Sequence, residues 1–313
     1  MNPRTQNERG QATVLTLIFL VVLLGMAALV LDIGSWYRAD RDTQSTADSA
    51  ALAGAQSLPD DTGQAVSLAS SYASKNGGGM QSATISSSIA SNDTIKVKIS
   101  RQSPGIFTKF FGHDSTTVGS SATARVAPMD QAMYVAPIVV NIQHPALHCG
   151  GTQKRPIPCF GQPTELDLLD LHKPGGKDAA GSFGLINLTG DPTGNIGSGT
   201  LASWMERGYD HMMPLGKYDA APSANFNDGK FQNALQDRIG DDVLFPIYDT
   251  LTGPGSNAQY NVIGWIGFHV TAYHAGGSTG WVRGWFTSVI WRGIQSTSSS
   301  GSNWGSKTIQ LVE

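Results

Sequence analysis

The chain has 313 residues, with 21 Lys and Arg against 24 Asp and Glu for a formal net charge of −3, 40% hydrophobic residues and two cysteines. A balance this close to neutral excludes the basic face or stripe of a nucleic-acid-binding protein, so no nucleic-acid partner is expected. The length leaves room for one membrane anchor and two modest domains.

Residues 12–31 carry no charge. As a helix rising 1.5 Å per residue they span roughly 30 Å, the thickness of the hydrocarbon core of a bilayer. A cleaved secretory signal has a shorter apolar core, about 7 to 15 residues, followed by an A-x-A-like site. Here the apolar pattern runs past Gly25, Ala27 and Ala28 through Ile33 into Trp36 and Tyr37. This predicts an uncleaved transmembrane helix over residues 12–33, behind a tail of residues 1–11 and with the lipid bilayer as its first partner. Trp36 and Tyr37 stand where an interfacial aromatic pair belongs. Arg4 and Arg9 on one side are matched by Arg38 and Arg41 on the other, so the count of positive charges does not orient the helix.

The helical pattern continues to about Gln56. A 3.6-residue period sets Gln44, Ala47, Ala51, Gly54 and Ala55 on one side, a nearly flat face of small residues. Two partners fit such a face: a neighbouring helix that approaches closely, or the sheet of the same domain. Pro59 then ends the helix. Asp61 or Thr62 caps a second helix with Ala65, Leu68, Ala69, Tyr72 and Ala73 at helical spacing, stopped by Asn76 and the glycines 77–79. Strands are expected over residues 83–89 and around Ile95, Val97 and Ile99, joined by a turn at Ser91, Asn92 and Asp93. Pro104 is expected to open a short amphipathic helix carrying Ile106, Phe107, Phe110 and Phe111, closed by Gly112, before a strand over residues 118–126. A helix backed onto a small antiparallel sheet buries these faces, giving a domain over residues 34–128.

Arg9-Gly10-Gln11-Ala12, the apolar span, Asp32-Ile33-Gly34 with Tyr37, then Gln44 and the run from Ala47 to Ala55, resemble the amino-terminal segment of the TadG-like Flp/Tad pilus-assembly proteins of the TadE/TadG family. The likeness is close over residues 8–58 and general as far as Ala127. It implies a pilin-like α+β domain on a bacterial inner-membrane anchor, with residues 1–11 in the cytoplasm and the bulk outside. It also implies other Tad pilus-assembly subunits or pilins as partners, with self-association left open. Pilin-like members of these systems are cut after a glycine and carry glutamate at the mature fifth position. After Gly10 that position is Leu15, so an unprocessed anchor is expected.

Residues 129–313 read as a mostly antiparallel β domain. Strands are expected over residues 134–141, 183–188, 243–248, 262–273 and 281–291, with helices over 201–207 and 231–239. The long pair 262–273 and 281–291, joined by a Gly-rich link, is the clearest hairpin. Cys149 and Cys159 suit a small disulfide loop in an oxidising compartment, the alternative being two thiols in a reducing one. His144 and His148 beside them lack zinc spacing. Glu165, Asp167, Asp170 and His172 could offer oxygen ligands to calcium or form the wet face of an amphipathic strand. Asp237, Asp241, Asp242 and Asp249 suit a helix end, turns and pairing with Arg238. No phosphate loop or H-E-x-x-H is present in the sequence, and the G-x-S-x-G at Gly276–Gly280 falls in the link of the expected hairpin, where no strand-to-helix turn lifts the serine onto a nucleophile elbow, so no enzyme, catalytic residue, metal or cofactor is expected. Six of the seven tryptophans follow residue 200; packed in a β core they are structural, while exposed they would suit sugars or a partner. The Ser- and Gly-rich stretch 296–306 reads as a loose tail. The expected function is a structural or assembly component of a pilus system, and its rival is a membrane-tethered carbohydrate-binding module or hydrolase.

Overall fold

The first helix, α1, runs unbroken through Arg9–Ala55, 47 residues. The computed structural model describes residues 9–152, 155–168, 182–191, 196–253, 258–276, 280–297 and 304–312. The chain divides into two units, residues 1–125 with 311–313, and residues 126–310.

In the first unit α1 is followed by α2 (Thr62–Lys75) and by β1 (Met80–Ser86), β2 (Thr94–Pro104) and β3 (Ser115–Ala127), which pair antiparallel in that order. Asp61 caps α2, its carboxylate accepting from the N–H of Gln64 at 2.7 Å. Asn76 and the left-handed Gly77 and Gly78 stop it. The alternation in β2 buries Ile95, Val97 and Ile99 against the helices and leaves Lys96 and Lys98 outside. Two expectations shift. The first strand lies three residues earlier than its apolar pattern suggested, because Ser88, Ile89 and Ala90 are drawn into a turn by Asp93. Pro104 ends β2 and opens no helix; a short 3-10 helix forms at Thr108–Phe111 and closes on Gly112 at φ 81°.

In the second unit the central strands are β4 (Ile138–Asn141), β5 (Thr164–Leu168), β6 (Ser182–Leu185), β7 (Asp242–Thr252), β8 (Gln259–His274) and β9 (Trp281–Thr287). They hydrogen-bond in the order β8, β7, β4, β6, β5, β9, and β9 pairs back onto β8, so the sheet closes on itself. Most seams are antiparallel, as in Phe245 opposite Ile266 and Val282 opposite Leu166. Two are parallel, β4 with β7 and β5 with β6. Closure leaves these six strands few free edges. Alternate residues of β7 enter two apolar clusters. Val243, Phe245 and Ile247 join Phe268, Val282, Phe286 and the helices α3 (Ser198–Arg207) and α4 (Gly229–Asp237). Leu244 and Tyr248 join Tyr260, Val262 and Trp265 on the other face. That two-sided burial is the reason residues 243–248 read as a continuous apolar run.

The stretch 296–306 is no loose tail at its described ends. Ser296 and Ser306 are buried, the hydroxyl of Ser306 donates to the carbonyl of Trp265 at 2.6 Å, and the chain goes on into a strand, Ser306–Val312. Its first residues pair parallel with Val289–Ile290. Residues 298–303, the Gly- and Pro-rich stretch 173–181, Asp170 and His172 lie outside the described residues.

Candidate functional site

From Val14 to Leu31 the large apolar side chains of α1 are open to their surroundings, with exposures from 45% at Leu23 to 67% at Leu15 and Val30. Side chains of this kind bared to water would be costly at about 25 cal/mol per Å². They cover all sides of the helix, as a lipid-facing cylinder requires. By length and composition this helix can cross a membrane.

One residue past the apolar run the character changes. Asp32 is fully buried, and its carboxylate accepts from the backbone N–H of Ile106 at 2.8 Å, of Phe107 at 3.0 and 3.1 Å, and of Thr108 at 2.7 Å. A carboxylate beside an apolar run must find donors or neutralise, and the start of the 3-10 helix supplies them. Beyond it, Arg41 donates to the Tyr37 hydroxyl at 2.8 Å and lies over its ring.

The five residues of the small face have defined places. Ala47, Ala51 and Ala55 are fully buried. A Cβ at Gly54 would stand 2.7 Å from Ile95 Cδ1 and 2.8 Å from the carbonyl oxygen of Ala65, so only glycine lets α1, α2 and β2 meet this closely. Ala65, Ala69 and Ala73 answer from α2. Gln44 donates to Asp48 at 2.7 Å. The face is therefore filled by the same unit's own helix and sheet, and in this fold it offers no open surface to a second subunit. Arg101 of β2 ties the three elements, donating to Thr46 Oγ1 at 2.8 Å, to the carbonyl of Asn76 at 2.6 Å and to that of Gly78 at 3.1 Å.

Residues 10–57 match the family model Tad, Flp pilus-assembly TadE/G-like. No curated protein and no solved structure matches the chain. The Tad match covers α1 almost from end to end, taking in the apolar cylinder, Asp32 and the small face. It stops before α2, so the partners that α1 packs against lie outside it.

In the second unit Cys149 and Cys159 are joined, with Cα atoms 5.1 Å apart. The neighbouring histidines serve the loop. His144 Nδ1 accepts from the N–H of Ala146, its Nε2 lies 3.2 Å from the carbonyl of Glu165, and His148 Nε2 lies 2.7 Å from the carbonyl of Ile142. Burial holds His144 below the usual imidazole value, so it is neutral at physiological pH. Glu165 and Asp167 lie on the wet face of β5, where Glu165 pairs with Arg283. Burial and the charge of Glu165 push the Asp167 carboxyl up. Among the described residues, no three His, Cys, Asp or Glu side chains converge as metal ligands do. Arg238 pairs with Asp241 at 3.1 Å, Asp242 meets His269 at 2.8 Å, and Asp249 accepts from Asn261.

The tryptophans divide. Trp265 and Trp304 are core residues at 1% exposure, whereas Trp281 and Trp285 project from one face of β9 and are half-covered. His269 stacks on Trp285 with ring centres 4.3 Å apart, and Arg283 lies 4.0 Å over the Trp281 ring. Glu165, Thr271, Arg283 and Trp285 border an open depression beside them.

In the sequence Asp32 stands out only as part of a motif, and Arg101 does not stand out at all. A lone carboxylate directly after a 20-residue uncharged run was the available signal for the first. Nothing local marks the second, whose partners lie 23 to 55 residues away.

Proposed function

We propose that this chain is a membrane-anchored, non-enzymatic structural or assembly component of a Flp/Tad-type pilus system. Helix α1 holds it in the bacterial inner membrane, with residues 1–11 in the cytoplasm and the bulk of the chain that follows the apolar run outside. The observation that carries this reading is the Tad match over residues 10–57, which falls on a helix apolar enough to cross a bilayer and central to the packing of the first unit. The Cys149–Cys159 bond supports an oxidising, extracytoplasmic location for the second unit. Because the small face of α1 is closed from within, other Tad subunits or pilins would be met through other surfaces. The test is light cross-linking in piliated cells, mild detergent extraction of the full chain, and mass spectrometry of what accompanies it. Recovery of the pilus ATPase, platform or pilin subunits is expected; their absence from cells that are making pili would overturn the proposal.

A second reading rests on the half-covered Trp281 and Trp285, whose spacing along one strand face suits stacking on a sugar chain. It makes the second unit a tethered carbohydrate-binding module or hydrolase. Binding of the detergent-held chain to a glycan array, lost in Trp281→Ala and Trp285→Ala, would favour it.

A further inference from the structure

Between β2 and β3 the chain forms a compact knuckle. The N–H of Gly105 donates to the carbonyl of Asp114 at 3.0 Å across its neck, and that of His113 to the carbonyl of Thr108 at 3.1 Å. The N–H groups at 106–108 are held by the Asp32 carboxylate, so the knuckle is bound to α1 one residue beyond the end of the uncharged run 12–31. Its outer side is apolar and open, with Phe110 85% and Ile106 55% exposed, and the exposed Lys109 lies between them.

An apolar pair this open is unfavourable in water, and the fold of the first unit makes no attempt to cover it. Its position names the cover. The headgroup layer extends roughly 5 to 7 Å beyond the hydrocarbon on each side, and a backbone hydrogen-bonded to residue 32 stands within that layer when residues 12–31 fill the core. Aromatic and aliphatic side chains carried there bury in the boundary, and a lysine beside them is drawn to anionic headgroups.

We propose that the knuckle at residues 105–112 is a membrane foot: Ile106 and Phe110 enter the lipid interface beside α1, and Asp32 is the positioning residue that pins the foot at that depth. The occupant is the lipid surface itself. The arrangement gives the first unit two points of contact with the bilayer, so it cannot swing freely about a single helix. Asp32 benefits in turn, because the foot supplies the donors a carboxylate at the edge of the hydrocarbon would otherwise lack.

This inference rests on α1 spanning a bilayer, and the test separates the two. In full-length protein reconstituted into vesicles of phosphatidylethanolamine and phosphatidylglycerol, an environment-sensitive fluorophore is attached in turn to Lys109→Cys, Ala28→Cys and Asn92→Cys, with quenchers carried by the lipids at shallow or deep positions. The foot requires shallow quenching at 109, deep quenching at 28 and none at 92. Adding Ile106→Ser with Phe110→Ser should abolish the quenching at 109 and leave that at 28. Asp32→Ala should reduce it several-fold, again without change at 28, and unchanged quenching at 109 would overturn the pinning role. A probe at 109 that behaves like the one at 92, while 28 is quenched, would overturn the foot and leave the anchor standing. Loss of quenching at 28 as well would overturn both.

Discussion

Asp93 shows at the residue scale how a turn is held by one side chain. It is 2% exposed and accepts from the N–H groups of Ser88, Ile89 and Ala90 and from the Thr94 hydroxyl, all between 2.7 and 2.8 Å. Burial alone would raise its carboxyl, but these donors outweigh it and hold it below the ordinary aspartate value. Removing the acceptor leaves three backbone donors without a partner, so Asp93→Ala should open the turn by about 3 kcal/mol. Hydrogen exchange at the 88–90 amides of the detergent-held chain should then speed up about a hundredfold. The sign of the pH effect follows from the lowered value: the stabilisation is present above the unfolded pKa of about 3.9 and is lost as pH falls through the lower folded one. Protection of these amides should therefore weaken only below about pH 4, and in Asp93→Asn that acid limb should vanish. The serine run and Asn92 announced a turn; that Asp93 would bind three consecutive N–H groups upstream was not legible, because it depends on where the loop folds back.

Among the elements, the contact of α1 with α2 and β2 makes the sharpest claim. Gly54→Ala would ordinarily strengthen a helix by about 1 kcal/mol. Here the added methyl meets Ile95 and the backbone of α2, and overpacking of that kind costs about 1 to 3 kcal/mol. The variant should be neutral to destabilised, and Ala51→Leu clearly destabilised. Protease resistance of the first unit should fall while carbonate extraction shows insertion unchanged, since residues 12–31 are untouched. Loss of insertion would mean that the packed end of α1 is needed for the membrane step as well. The helices α1 and α2, the strand β2 and the pair β8 and β9 were legible because period and caps lie within each segment. The small face was legible as a close-packing surface, but its partner was not, since an alanine stripe fits a helix of its own domain or of a neighbour equally well. The closed sheet was hidden for a different reason. Its parallel seams join β4 to β7 and β5 to β6, short strands such as Ile138–Asn141 whose pairing is decided by the rest of the unit.

On the scale of the whole molecule, the disulfide links fold to compartment. A bond closing a separation of 10 residues is worth about 3 kcal/mol by chain entropy, so Cys149→Ser should lower the thermal stability of the second unit, as should assaying under reductant. If that unit stands outside the cytoplasm, alkaline phosphatase fused after Glu313 should be active and a green fluorescent protein fusion dark; the opposite pattern would reverse the proposed orientation. The length of α1 has a mechanical consequence. At 1.5 Å per residue its 47 residues make a rod about 70 Å long, with no proline between Arg9 and Ala55 to act as a joint. With α1 spanning a bilayer as proposed, tension applied to the packed end would be carried through hydrogen bonds in series down to the lipid, so a tug on the packed end would be felt inside the bilayer as tilt of the same rod rather than being absorbed by a compliant tether.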